Sequence, residues 1–432
     1  MTEPAKAVMP LFALAFRNLL RAKRRNALAG GTMVLGSAAL VLGSGLSDGI
    51  AHQLTANLVA VQTGHVQVVV RPADFQPQNS PFDAYGQDQL PNAVTLAQRI
   101  EAEGRALGVL RVVPYLQARG TAIAGNRSSP ASIIGIDAVR EVELQAAFAP
   151  VAGTFLPAGE ELAVYIATPM ARKLRLSVGD SVSFVIQTPQ GAVNSLDAIV
   201  CGVFEKSAPW YDNTFYVPLA AAERLLDWPK GATNLKVTLA DGSRAGARRA
   251  REALARIVDA EHIVLPVKDT RLRVETFDEA GRFSFSIIQA NETALAILST
   301  FLFLAAAVGI VNSMLMSVHE RTREIGTVRA LGMRRGLVVR LFILEGAALG
   351  LVCAVLGVAL GAAGVLYYGA RGIPMNTITL AWMAGGDVLY PVLRVASALR
   401  AGGLIAALST LAAIYPAFTA SRLEPREALQ HV

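Results

Sequence analysis

The sequence predicts an α+β membrane protein: four transmembrane helices, with a large mixed α/β extracytoplasmic domain between helices 1 and 2. Three observations carry this reading. Of 432 residues, 53% are hydrophobic and 17% charged, and the mean hydropathy is +0.42. That is too apolar for an ordinary soluble domain and too charged for a chain wholly inside a bilayer. Four runs, near 27–46, 293–318, 344–368 and 401–420, each approach the about 20 apolar residues that cross a hydrocarbon core. The stretch between the first two runs is more than half of the chain and alternates strand-like and helix-like patterns.

The first run follows Lys23, Arg24 and Arg25, as a signal peptide's core would. Its apolar part is longer than such a core, and no small-x-small site with a polar start follows it, so it is read as a retained span. Orientation follows from basic residues near the spans. Lys6, Arg17, Arg21, Lys23, Arg24 and Arg25 precede span one, and Arg321, Arg323, Arg329, Arg334, Arg335 and Arg340 lie between spans two and three. Only Arg371, Arg394 and Arg400 lie in the longer stretch between spans three and four. Both termini and the 319–343 loop are therefore expected in the cytoplasm, and the domain and the 369–400 loop outside. The net charge of +7 is read as this topology signal, not as a nucleic-acid footprint.

Within the outer segment, 64–70, 109–115, 131–137, 180–188 and 234–240 read as strands. Segments 92–107, 218–227 and 243–258 have helical spacing. "RLSVGDSV" reads as a Gly-Asp turn into a strand. A composition shift divides the domain (62–270) into an α/β part, about 62–140 with 230–268, and an inserted β-rich part, about 150–228. Ile50, Leu54, Leu58 and Val61 recur every three or four residues after span one, and Phe283, Ile287 and Ile288 do something similar before span two. Both spans are thus expected to continue outward as helices, span one with its stalk over 27–61 and span two with its stalk over 271–318, rather than ending in short loops.

Signs of catalysis are few. No G-x-x-x-x-G-K-[ST], H-E-x-x-H, C-x-x-C or G-x-S-x-G occurs, so no catalytic residue and no metal site are expected in this chain. His65 in "TGHVQV" reads as a strand-edge residue, and Glu160–Glu161 as solvated loop charges. Cys201 and Cys353 lie in a polar and an apolar setting, and no disulfide is expected. Span interiors carry no charge. Glu345 and Asp48 sit at span ends and are expected to reach water, which argues against a proton pathway. Gly346-x-x-x-Gly350 and Gly357-x-x-x-Gly361 on span three, and Gly30, Gly31 and Gly36 on span one, have the spacing that lets helix backbones approach in lipid.

The densest signal is "SVHERTREIGTVRALGMRRG", residues 317–336. A short helix is expected from Glu320 to Leu331, with Ile325, Val328 and Leu331 as an apolar stripe. Glu320–Arg323 and Arg321–Glu324 stand three apart on it. Gly332 falls where a left-handed C-cap would stop it, with Met333 folding back on the last turn. A lipid-surface anchor favours basic and bulky apolar residues with few acids. Glu320 and Glu324 fit a protein groove better.

"VHERTREIGTVRALGMRRGLVVRLFILEG" resembles the cytoplasmic loop of the FtsX/MacB/LolC-LolE-type ABC transporter permeases, with its E-R-x-x-E-I-G-x-x-[RK]-A-L-G core. The matching residues are Glu320, Arg321, Glu324, Ile325, Gly326, Arg329, Ala330, Leu331 and Gly332, with Glu345 entering the next span. "FRNLLRAKRRNAL" resembles the family's cytoplasmic amphipathic N-terminal helix, placed at 1–26. "YPAFTASRLEPREAL" resembles its C-terminal ending, with a cytoplasmic tail at 421–432. "TGHVQV" is similar to the start of the outer domain in the lipoprotein-release branch.

The resemblance implies a non-catalytic permease subunit in the bacterial cytoplasmic (inner) membrane, working as a dimer with a second copy or a paralogue. Two copies of a separate ATPase, which would bind ATP and Mg, would dock on the loop helix through residues 320–332, including Arg323 and Val328. A fused N-terminal ATPase, as in the macrolide-exporter branch, is not expected. A periplasmic adaptor or acceptor protein is a possible further partner. Lipoprotein or lipid-linked cargo ranks first. Efflux of peptides or small amphipathic molecules, and activation of an outer partner without transport, stay open. A sensor or adhesin would have no use for an ATPase-docking helix.

Overall fold

The computed structural model describes residues 23–75, 89–159, 162–205 and 211–422. The expected helix at 1–26 lies almost wholly outside the described residues, as do Glu160, Glu161 and most of the 421–432 tail. The chain is mixed α/β, and it divides into two compact units. One holds residues up to 49, 289–373 and from 390 onward. The other holds 50–288 and 374–389.

The second unit is built on a sheet. Helix α1 (Lys23–Asn57) runs into a π-turn (Leu58–Thr63) and then strand β1 (Val66–Pro72). There follow α2 (Ala93–Gly104), β2 (Val109–Ala124), β3 (Arg127–Ile136), α3 (Val142–Ala147), β4 (Pro150–Gly153), β5 (Ala163–Ala167) and α4 (Thr168–Leu174). Then come β6 (Ser181–Gln187), β7 (Val193–Phe204), β8 (Thr214–Pro218), α5 (Leu219–Leu226), β9 (Asn234–Leu239), α6 (Arg244–Asp259), β10 (Thr270–Thr276) and α7 (Phe277–Ala280). The strand order is β10-β1-β9-β2-β3-β8-β5-β7-β4, and β6 pairs with both β2 and β7. The pairs β3–β8 and β5–β7 are parallel.

The pairing of β6 with both β2 and β7 closes a ring of six strands, β2-β3-β8-β5-β7-β6. Its interior follows the period of two that a strand imposes: Leu116, Ala118 and Ala122 on β2, Val182, Phe184 and Ile186 on β6, Phe215 and Val217 on β8 are all buried in one cluster. The other end of β2 pairs with β9 over Val109–Tyr115. There α2 and α6 cover one face of β10-β1-β9-β2, through Leu96, Ile100, Leu254 and Val258 against Val66, Val68, Val237 and Leu239. The 16-residue β2 thus serves both cores, and with β3 it belongs to the ring as much as the 150–228 segment does. Ser243 caps α6 by accepting from the Gly246 N–H. The Gly-Asp turn expected before β6 is present, with Gly179 at φ +96° and the Asp180 carboxylate accepting from the Ser177 N–H at 2.7 Å.

The other unit holds the long helices. Those longest and most apolar are α8 (Arg282–Glu320) and α10 (Arg335–Arg371). At 39 residues, α8 is about 58 Å long, roughly twice a hydrocarbon core. The expected fourth span is two helices, α12 (Val395–Ala412) and α13 (Ile414–Arg422). Pro416, lacking an N–H, cannot return a bond to the Ala412 carbonyl, and the helix breaks there.

Both glycine pairs on α10 are contact surfaces. A Cβ at Gly346 or Gly350 would overlap Ala413 or Ser409 of the fourth span. A Cβ at Gly357 would overlap Ser37 of α1, and one at Gly361 would lie 2.7 Å from the Val41 Cβ. One helix thus approaches two neighbours closely through two small-residue faces. Asp48 is not simply solvated: it meets Arg394 at 3.3 Å and the Ser397 hydroxyl at 3.1 Å.

Candidate coupling helix between the second and third spans

Helix α8 ends at Glu320, two residues beyond the expected end of the second span at 318. Arg321, at φ −104° and ψ 12°, leaves the helix. The next helix, α9, is Thr322–Ala330. Thr322 makes the corner, its hydroxyl donating to the Val318 and His319 carbonyls at 3.1 and 2.9 Å. These are two of the acceptors that a helix end leaves unsatisfied.

The far end is a Schellman motif. Gly332 stands at φ +100°, a conformation that suits glycine. Its N–H donates to the Arg329 carbonyl, and the Met333 N–H donates back to Val328 at 3.2 Å. Arg334 is extended, and α10 begins at Arg335. The corner and the cap together set off nine residues of helix between two spans.

The apolar stripe divides between two faces. Ile325 packs with Met333 against a cluster that includes Met314, Val318, Val338 and Phe342, and Gly326 is buried beside it. Val328 is 38% exposed and Leu331 84% exposed. Steps of three residues advance 300°, so each successive member falls 60° behind the last. Ile325 and Leu331 therefore lie about 120° apart. Arg323, Glu324, Thr327, Val328, Ala330 and Leu331 are exposed, and Arg329 is half-buried.

Glu345 does not reach water. It is 7% exposed, nearly three turns inside α10, and its carboxylate meets the Arg321 guanidinium at 3.5 Å. The arginine that breaks the chain out of α8 thus neutralises the acid buried in α10. Glu345 also lines a cavity of about 20 Å³ with Ser313, Ser317, Met314, Phe342 and Leu349, enough for one water molecule. The two serines stand four apart on one face of α8. Sequence reading passed over them, although a pair of hydroxyls at helical spacing in an apolar span was the available signal. Among the described residues, no group of three or more His, Cys, Asp or Glu side chains is placed to hold a metal ion.

His65 sits just before β1, where its Nδ1 accepts the Leu239 N–H at 3.1 Å. Burial, the largest influence, holds its pKa below the ordinary imidazole range. Glu143 and Asp241 oppose that shift and Lys236 adds to it. Cys201 lies in β7, its thiol turned to the Val164 carbonyl.

Residues 296–425 match the family described as FtsX-like permease C-terminal. The macrolide export ATP-binding/permease protein MacB of Bdellovibrio bacteriovorus is 25% identical over 450 residues, 99% of this chain and 62% of that protein. The lipoprotein-releasing system transmembrane protein LolC of Neisseria meningitidis is 24% identical over 65% of this chain and 69% of that one. The MacB of Nitrobacter winogradskyi is 28% identical over 64% of this chain and 40% of its own length. The chain therefore spans less than two thirds of the MacB relatives it matches. Among solved structures, the periplasmic region of MacB from Actinobacillus actinomycetemcomitans covers 53% of this chain at 14% identity, with a TM-score of 0.35.

Proposed function

We propose that this chain, whose residues 296–425 match the FtsX-like permease C-terminal family, is the membrane subunit of an ABC transporter of the MacB/LolC type. In this reading ATP and Mg are bound and ATP hydrolysed on a partner ATPase, two copies of which serve a permease dimer in a bacterial inner membrane. Both termini and α9 face the cytoplasm, and the sheet unit faces the periplasm.

The observation that carries the proposal is α9 itself. It is a nine-residue helix fixed at both ends by local chemistry, anchored by Ile325 and Gly326, and exposing Glu324, Val328 and Leu331. A face with both apolar and acidic groups suits a groove on a protein better than an anionic lipid surface. The exposed residues of 320–332 are assigned to that docking, with Ile325 and Gly326 as the anchor and Glu345 as support through Arg321.

For cargo, the first reading is a lipoprotein or another lipid-linked molecule drawn from the bilayer. Support comes from α8, whose Phe301, Leu304 and Val308 are each more than half exposed and present an apolar flank at membrane depth. The second reading, efflux of peptides or amphipathic molecules, is favoured by the MacB relative that aligns over 99% of the chain. "TGHVQV" has a structural explanation and does not weigh between them. Transmission to a periplasmic partner without transport is the third.

Affinity capture from native membranes, with wild type and Glu324→Arg, tests the docking. Wild type should recover an ATPase carrying a P-loop, and the variant should recover at least tenfold less. Equal recovery, or none from wild type, refutes it. Deleting the gene then separates the cargoes: lipoproteins retained in the inner membrane support the first, and hypersensitivity to amphipathic compounds the second.

A further inference from the structure

The sequence gives little reason to notice Lys236, a lysine in the middle of the strand "NLKVTL". It is 1% exposed, and its ion-pair partner Glu141 is 0% exposed. The ammonium meets the two carboxylate oxygens at 3.0 and 2.9 Å. A buried pair of this kind is weak evidence for stability, because well-packed apolar residues often serve as well. Its third contact gives it a use. The ammonium also donates to the Ala60 carbonyl at 2.6 Å.

Ala60 lies in the π-turn at the end of α1. There the Gly64 N–H closes an i→i+5 bond on Val59 at 3.1 Å. The next donor that could reach Ala60 in that register is the His65 N–H, and it goes instead to Val237 at 2.9 Å. The carbonyl is thus left to a side chain, at the negative end of the helix, where a cation is favoured. Asn234, two residues from Lys236 and so on the same face of β9, reaches the Gln62 carbonyl at 3.5 Å. The Thr63 hydroxyl lies 2.9 Å from the Gly64 carbonyl. Gly64, at φ +66°, passes so close to β9 that a Cβ would lie 2.6 Å from the Val237 carbonyl. Each residue of Thr-Gly-His therefore has a place in one joint.

We propose that Lys236, oriented by Glu141, is a positioning residue that pins the π-turn to β9, so that displacement of α1 is passed to the sheet rather than absorbed by the turn. Without the pin, the turn loosens from β9 and its amides open more often to solvent. The coupling role rests on the transporter reading above; the pin itself does not.

The test compares wild type with Lys236→Met and with Lys236→Met/Glu141→Leu, by hydrogen–deuterium exchange of the complex purified from native membranes. The single variant leaves Glu141 buried without its cation and is expected to unfold more easily. The double variant removes both charges and should melt within a few degrees of wild type. In it, amides of 58–64 should exchange at least tenfold faster, while those of 234–239 are unchanged. Protection of 58–64 equal to wild type overturns the pin.

Repeating the comparison with Mg-ATP and vanadate as the probe reads the coupling. Wild type should change exchange in the sheet unit, and the double variant should lose that response. A double variant that responds like wild type overturns the positioning role. A wild type that does not respond refutes the transporter reading, while the exchange of 58–64 still decides the pin.

Discussion

Arg321 and Glu345, 24 residues apart in sequence, face each other at 3.5 Å. Arg321 is the residue at which α8 stops, and Glu345 is the buried acid of α10. Their pairing joins the base of α9 to the span that follows it, so the tilt of the short helix is tied to the packing of α8 on α10. Ser313 and Ser317 line the same small cavity as this carboxylate.

Arg321→Met is expected to lower stability by about 2 kcal/mol, the scale of a hydrogen bond to a charged group. Arg321→Met/Glu345→Met should recover most of that, because no charge is then left buried without its partner. Thermal unfolding in detergent measures both. A double variant no more stable than the single would show that the pair does not hold α9 in place.

The two glycine faces of α10 should be sensitive where Gly31 and Gly36 of α1, which face open space, are not. Gly361→Ala puts a methyl 2.7 Å from the Val41 Cβ, and overpacking of this kind costs about 1–3 kcal/mol. Gly36→Ala meets nothing within 4 Å and should be neutral or gain up to about 1 kcal/mol in helix propensity. The melting temperatures of the two single variants, measured side by side, decide it.

The sheet unit should weaken below about pH 6.5, the ordinary imidazole range. Burial lowers the His65 pKa in the folded chain, and Nδ1 is occupied as an acceptor. As pH falls, the unfolded chain takes up a proton that the folded chain resists, so the contribution of His65 is present above the unfolded pKa and declines as pH falls through and below it. Protonation at Nδ1 would also remove the bond from Leu239. Chemical denaturation at pH 7.5 and 5.5 should show a larger loss for wild type than for His65→Asn. Equal losses would remove His65 from the account.

What could be read in the sequence was local. The Leu-Gly-Met stop at 331–333 was legible because a C-cap depends on one glycine and its neighbours, and the motif formed as its spacing implied. The spans were legible by length and composition. The Ile325–Leu331 stripe was misjudged because steps of three drift round the helix, and the drift turned Ile325 inward. Glu345 was placed in water because its partner lies beyond a chain reversal. β2 was read as seven residues, while Pro114 and Gly120 inside its 16 are tolerated by pairings with β9 and β6. The ring itself depends on parallel and long-range pairs that no local pattern announces. Lys236 and Glu141, 95 residues apart, became a joint only once β9 lay under the π-turn.

The central claim, that α9 is the docking element for an ATPase, is tested most directly by a photo-crosslinking residue at Leu331, which is 84% exposed, activated in native membranes. The account predicts one dominant adduct, with a P-loop ATPase, that is lost in the Glu324→Arg background and absent when the same group is placed at half-buried Ile325. Adducts with lipid alone, or an ATPase adduct indifferent to Glu324→Arg, would contradict it.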